Sequence, residues 1–173
     1  VIGLIDCAGM RLQEATDALN GFGEIYMQQT KASGVIPQIT GIFGTCGGGM
    51  AMIPALTDFT LMEEKKAKLF VNSPNAIEGN EISKCDTSAA EYQAKEAGLV
   101  DFKGSEEDVL AQIRALVTML PANNEDDMSY EECTDDLNRV CKDLANCAGD
   151  TSIALSQISD NNVFFEVKAD YAK

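Results

Sequence analysis

The stretch that most limits what this chain can fold into is GIFGTCGGGMAMIPALTDF, residues 41–59. A short apolar run, 36–43, enters a glycine-dense turn at 44–49, which opens into a short helical pattern at 50–56. Gly47, Gly48 and Gly49 at such a strand-to-helix turn let something approach the main chain where any Cβ would block it. The first turn of the following helix adds unpaired N–H groups and the positive end of a dipole. Such a place can bind phosphate, or hold a carbonyl oxygen that is becoming negative.

Phosphate binding fits poorly. A Walker-type loop ends in Gly-Lys-Ser/Thr, whereas Gly49 is followed by Met50 and Ala51. A dinucleotide fingerprint starting at Gly47 needs a glycine where Met52 stands. The formal net charge of −15 argues against nucleic acid as a partner, since phosphate backbones call for basic surface. The chain has no histidine, which excludes Ser-His, Cys-His and His-metal chemistry built from its own residues. Cys46 stands near a helix start, where its thiolate would be favoured, but it has no histidine base, so packing is the better reading of its thiol. The six cysteines are scattered without a CxxC pair, as reduced thiols in a cytoplasm are; Cys133, Cys141 and Cys147 lack zinc spacing, and no metal is expected. No apolar run reaches the ~20 residues of a bilayer span, and no signal peptide is visible.

Along the chain, 1–5 reads as a parallel strand buried on both faces. A helix follows over 12–32, with Ala15, Leu19, Phe22, Ile25 and Tyr26 on its apolar stripe and Gly34 at C′. Gly21 and Gly23 inside it suggest close packing against the next layer. Further strands are expected at 35–43, 59–62, 69–71 and 99–102, with Pro37 at a strand start or bulge. Helices are expected at 89–97, after Ser105, at 137–144 and at 151–158. Ser105 caps a helix that carries Val109, Ile113, Leu116 and Val117 on one face. Strand, turn, helix, strand in this order implies an α/β fold: a mostly parallel sheet with covering helices. Residues 1–121 form the sheet domain, 122–136 an acidic linker, and 137–173 a helical bridge. In a parallel sheet the turns at Ala8-Gly9-Met10 and Gly47-Gly48-Gly49 lie at one edge, where an N–H from each can converge on one oxygen.

VIGLIDCAGMRLQEA and ASGVIPQITGIFGTCGGGMAMIPALTDFTLM together resemble the acyl-CoA carboxyltransferase family of the crotonase superfamily. That family takes in the transferase subunits of propionyl-CoA and acetyl-CoA carboxylases. It also takes in those of biotin-dependent, sodium-pumping decarboxylases acting on methylmalonyl-CoA or glutaconyl-CoA. The likeness is traceable onward through Gly98-Leu99-Val100-Asp101, the acidic linker, Val163-Phe164-Phe165-Glu166 and Tyr171-Ala172-Lys173. It implies a crotonase-like fold in which strands precede Val1 and a second, biotin-binding domain follows Lys173; the chain as given is then the back part of the acyl-CoA-binding domain, inactive alone. It implies carboxyl transfer between biotin and the α carbon of an acyl-CoA through an enolate, with carboxybiotin on a carrier protein as cofactor. Other implied partners are further copies of the full-length subunit and, for a decarboxylase, a membrane assembly. The match maps amide donors onto Gly9 and Met10 and onto Gly48 and Gly49, and substrate contacts onto Ala8, Arg11, Gly47 and Cys46.

The chain departs from the family where Cys7-Ala8-Gly9-Met10-Arg11 replaces the common Ser-Gly-Gly-Ala-Arg; Met10 crowds the acyl pocket, and Ala8 restricts φ. Arg11 either reaches coenzyme A phosphates or pairs with Glu14, the reading slightly preferred. Asp58 is expected to hydrogen-bond at a helix end. Two other functions stay open. One is a hydratase or isomerase with a carboxylate such as Glu14 as base; the other is a non-catalytic interaction piece whose glycine turns serve packing.

Overall fold

The structure, a computed structural model, describes residues 1–126, 133–142, 144–147 and 149–172. It divides into two compact units, one of residues 1–126 with the segment from Lys168 onward, the other of residues 127–167.

The first unit is built on five strands: β1 (Ile2–Cys7), β2 (Ile39–Gly47), β3 (Phe59–Glu63), β4 (Lys68–Phe70) and β5 (Phe102–Gly104). They run in the order β1-β2-β3-β5, with β4 also paired to β2, and all four strand pairings are parallel. Parallel neighbours need crossovers. Helix α1 (Ala15–Ala32) returns the chain from β1 to β2, and α2 (Met52–Leu56) from β2 to β3. Between β4 and β5 lies α3 (Ala90–Lys95), and α4 (Glu106–Met119) follows β5. Strand β2 runs through the middle of the core, where Ile42, Cys46, Leu61, Met62, Val100 and Val109 are almost wholly buried.

Several expectations change here. Strand β1 is not buried on both faces: Ile5 is, but Ile2 and Leu4 are exposed. Among the described residues β1 pairs with β2 alone, and α4 packs on β2, β3 and β5. Helix α1 begins at Ala15, after a 3-10 turn at Leu12–Glu14, and runs to the expected end at Ala32, yet none of its residues is fully buried; Leu19 and Ile25 face outward. Phe22 and Tyr26 carry its packing, and a Cβ at Gly21 or Gly23 would meet nothing within 4 Å, so those glycines serve no close contact. Strand β2 begins beyond Pro37 and runs four residues further than expected, through the glycine turn itself to Gly47.

Helix α4 is begun by a reciprocal cap. The Asp108 amide donates to Ser105 Oγ (3.2 Å) and the Ser105 amide donates to Asp108 Oδ2 (3.2 Å). Val109, Ile113 and Leu116 are buried, whereas Val117 is exposed. Strand β5 lies at Phe102–Gly104, just after the expected stretch, because Asp101 anchors its entry: its carboxylate accepts from the Thr60 amide (2.7 Å) and its own amide donates to the Thr60 carbonyl (2.8 Å). Gly98 has φ +63° under the ring of Tyr171, where a Cβ would come within 2.9 Å.

In the second unit, α5 (Thr151–Ile158) forms as expected, with the Ser152 amide donating to Asp150 Oδ1 (2.9 Å). No α-helix forms among the described residues of 137–144; a 3-10 turn spans Leu144–Asn146. Arg139 makes its hydrogen bonds outside any helix here. Its guanidinium donates to Asp135 Oδ2 (2.8 Å), to the Ser159 carbonyl (2.7 Å) and to the Gln157 carbonyl. It thereby caps the end of α5, at the Gln157 carbonyl and the C-cap Ser159 carbonyl.

Candidate functional site

The two glycine-bearing bends lie at the same rim, because β1 and β2 are parallel and Cys7 faces Cys46 in their register. They also touch. A Cβ at Gly9 would stand 3.1 Å from the Gly47 carbonyl oxygen, and one at Gly47 would stand 3.0 Å from the Ala8 carbonyl oxygen. Gly9 has φ +122° and Gly48 φ +60°, conformations that side chains resist. Ala8 is not among the residues with positive φ, so the alanine there is accommodated without strain. Among the described residues, no hydrogen bond outside the strand ladders and helices engages the amides of Gly9 or Met10.

Helix α1 supports the second bend from behind. The Tyr26 hydroxyl donates to the Gly49 carbonyl (2.5 Å), and the stacked Phe22 and Tyr26 would stand 3.2–3.4 Å from a Gly49 Cβ. The Phe70 ring closes on Gly47 from β4. Beyond the bend the chain makes a 3-10 turn at Gly48–Ala51 and then only five residues of α-helix. The dipole of so short a helix is small, and what the bend offers is its individual amides.

Side chains do less. Cys46, assigned to substrate contact by likeness, is fully buried among the core residues; burial first, and Cys7 nearby, push its thiol up to about 12. It packs the bend and has no open face toward a ligand. Arg11 pairs with Glu14 at 3.0 Å, and both side chains are more than half exposed. Such a pair contributes at most about 1 kcal/mol. Asp58 acts at a strand entry and not at a helix end: its carboxylate accepts from the Gln38 amide (2.8 Å). The buried carboxylate is Glu63, which ends β3 at the same rim and accepts from the amides of Lys65, Lys66 and Ala67 (3.1, 2.5 and 3.3 Å). Burial pulls its pKa upward, but those amides prevail and hold it below the usual range. Glu63 is thus committed to the turn and is no free base. Among the described residues no cluster of three or more His, Cys, Asp or Glu could hold a metal. No described helix is long and apolar enough to cross a membrane.

Tyr26, Phe70 and Asp6 are site-supporting residues that sequence reasoning missed. A tyrosine on an apolar helical stripe was the available signal for the first, since its hydroxyl needs a partner.

A carboxyl transferase domain model matches residues 1–173. The chain belongs to the carboxyl transferase family. Its similarity to the carboxyltransferase subunit of propionyl-CoA carboxylase from Haloferax mediterranei is 39% identity, over 100% of this chain and 36% of the relative. With the alpha subunit of methylmalonyl-CoA decarboxylase from Veillonella parvula it is 37% over 99% and 36%. A crystal structure of transcarboxylase 12S, with hydrolyzed methylmalonyl-coenzyme A bound, superposes with a TM-score of 0.87 at 31% identity, over 99% of this chain and 35% of that one. The α/β architecture is therefore the carboxyltransferase, crotonase-like fold. The chain spans about a third of the length of these relatives.

Proposed function

We propose that the protein carrying this chain transfers a carboxyl group between biotin and the α carbon of an acyl-CoA thioester. One observation supports this above the others: the bends at Gly9-Met10 and Gly47–Gly49 abut at one rim, so closely that a Cβ at Gly9 would stand 3.1 Å from the Gly47 carbonyl oxygen. Amides of Gly9 or Met10 and of Gly48 or Gly49 hold the thioester oxygen as it becomes an enolate. Biotin supplies or accepts the carboxyl group, from a carrier protein. The chain's own contribution is donors that are already oriented, each typically worth about 2.7–4 kcal/mol of barrier. This chemistry needs no histidine, and the chain has none. The departures at Cys7, Ala8 and Met10 bear on which acyl group fits more than on the reaction, because the donors are main-chain groups. Further copies of the same subunit and, for a decarboxylase, a membrane assembly are partners under this reading; a cytoplasmic setting suits its reduced thiols.

The hydratase reading loses ground because Glu14, its candidate base, is exposed and engaged by Arg11. Full-length protein given carboxybiotin and propionyl-CoA is expected to yield methylmalonyl-CoA by mass spectrometry. Hydration of an enoyl-CoA without any carboxyl transfer would overturn the proposal, and failure to bind any coenzyme A thioester in calorimetry would favour a non-catalytic role.

A further inference from the structure

Strand β1 and strand β2 do not stay in step up to the bends. Ile5 faces Ile42, but Cys7 faces Cys46, so Phe43, Gly44 and Thr45 all lie opposite Asp6 alone. This is a bulge in β2. At the same place β2 exchanges its partner on the other side, from β3 (Ile42 with Met62) to β4 (Thr45 with Lys68). Had the register of Ile5 continued, Thr45 would have come beside Ala8. The bulge advances β2 so that Gly47 arrives there instead, against the Ala8 carbonyl and Gly9.

Asp6 fills the bulge. Its Oδ1 accepts from the Thr45 amide at 2.9 Å. The same carboxylate crosses Gly44 so closely that a Cβ there would lie 2.1 Å from Oδ1. It thus satisfies an amide that the bulge removes from the ladder, and occupies space that only a glycine leaves open.

We infer that Asp6 is a positioning residue for the carboxyl-transfer site: by closing the β2 bulge it fixes the register that sets the Gly47–Gly49 amides against those of Gly9 and Met10. This deepens the proposed function and rests on it. Asp6 acts on the reaction only through the bends, so its loss moves the alignment of donors and leaves the rest of the acyl-CoA contact in place.

The test uses full-length protein with propionyl-CoA and carboxybiotin. Asp6→Ala is expected to lower kcat at least tenfold while KM for propionyl-CoA stays within threefold, the pattern of an interaction made only in the transition state. Asp6→Asn, which keeps an acceptor oxygen of the same reach, is expected to lose less, and it carries the same kcat-against-KM test should the alanine variant not fold. Gly44→Ala is expected to impair kcat in the wild-type background and to cause little further loss once Asp6→Gly has cleared the space. Folded Asp6 variants with kcat within twofold of wild type, or with KM raised and kcat unchanged, overturn the inference alone. A wild-type protein that transfers no carboxyl group sinks the proposed function, and the inference with it.

Discussion

Gly47→Ala tests the apposition of the two bends directly. Gly47 has φ −120° and ψ 155°, ordinary extended backbone, so alanine meets no conformational penalty there. What it meets is matter: its Cβ would stand 3.0 Å from the Ala8 carbonyl oxygen and 2.9 Å from Phe70 Cζ. The Phe70 ring edge can turn away at modest cost. The Ala8 carbonyl moves only if the first bend moves with it. Overpacking of this kind costs about 1–3 kcal/mol of stability. Displacing one oriented donor from an oxyanion costs roughly 10²–10³-fold in kcat. The expected result for full-length Gly47→Ala is therefore a folded protein with kcat for carboxyl transfer down on the order of 10²-fold. Gly34→Ala supplies the control. It has φ +72° with nothing within 4 Å, and is placed at the end of α1, so it loses about 1–2 kcal/mol of stability to strain and keeps its activity. A folded Gly47→Ala variant with kcat within threefold of wild type would refute the reasoning, since two bends that tolerate a wedge are not jointly aligned.

Cys46 should resist alkylation at pH 8 because burial drives its thiol up to about 12, while the exposed Cys85 and Cys133 react; peptide mass spectrometry after brief iodoacetamide treatment reads the difference. Glu63→Gln should destabilise the protein by about 1–3 kcal/mol near pH 7, because its carboxylate accepts three amides. Its folded-state pKa is lowered, so its contribution is present above the ordinary glutamate range and is lost as pH falls through the folded value; the gap between Glu63→Gln and wild type in urea melts should narrow as pH falls below the ordinary glutamate range and close once Glu63 is protonated in the folded protein. Arg139→Ala should leave the last carbonyls of α5 without their donors and speed proteolytic cleavage within 127–167, with the first unit unaffected.

What could be read from the sequence was whatever local chemistry dictates. Three successive glycines announced a bend that needs bare backbone, and Ser105 with acidic residues behind it announced a helix start; both are there. Burial could not be read the same way, because it depends on which strand or helix arrives beside a residue. Val1 to Ile5 reads as an inner strand, but among the described residues it pairs with β2 alone and leaves Ile2 and Leu4 exposed. The stripe on α1 has the right period, but only Phe22 and Tyr26 meet the second bend. Arg139 and Asp135 do pair at helical spacing, but the guanidinium also reaches carbonyls at the end of α5, a contact that spacing along the chain does not announce. The bulge at Phe43–Thr45 was invisible as a pattern. Its one signal was Gly44, a glycine inside a strand, which marks either a bulge or a close approach and here marks both.

The same distinction explains which departures from the family pattern this site can absorb. Cys7, Ala8 and Met10 replace the usual residues, yet none of them has positive φ, so their changed side chains leave the amides where they are. The constrained positions are those whose backbone or empty space has no substitute: Gly9 and Gly48 by φ, Gly44 and Gly47 by the atoms that crowd them. A site made of amides is thus tolerant at the residues that carry them and intolerant at the residues that shape them. Under the proposed function, acyl specificity would change through a side chain such as Met10, while the β2 register at Gly44, where Asp6 accepts from the Thr45 amide, would stay fixed.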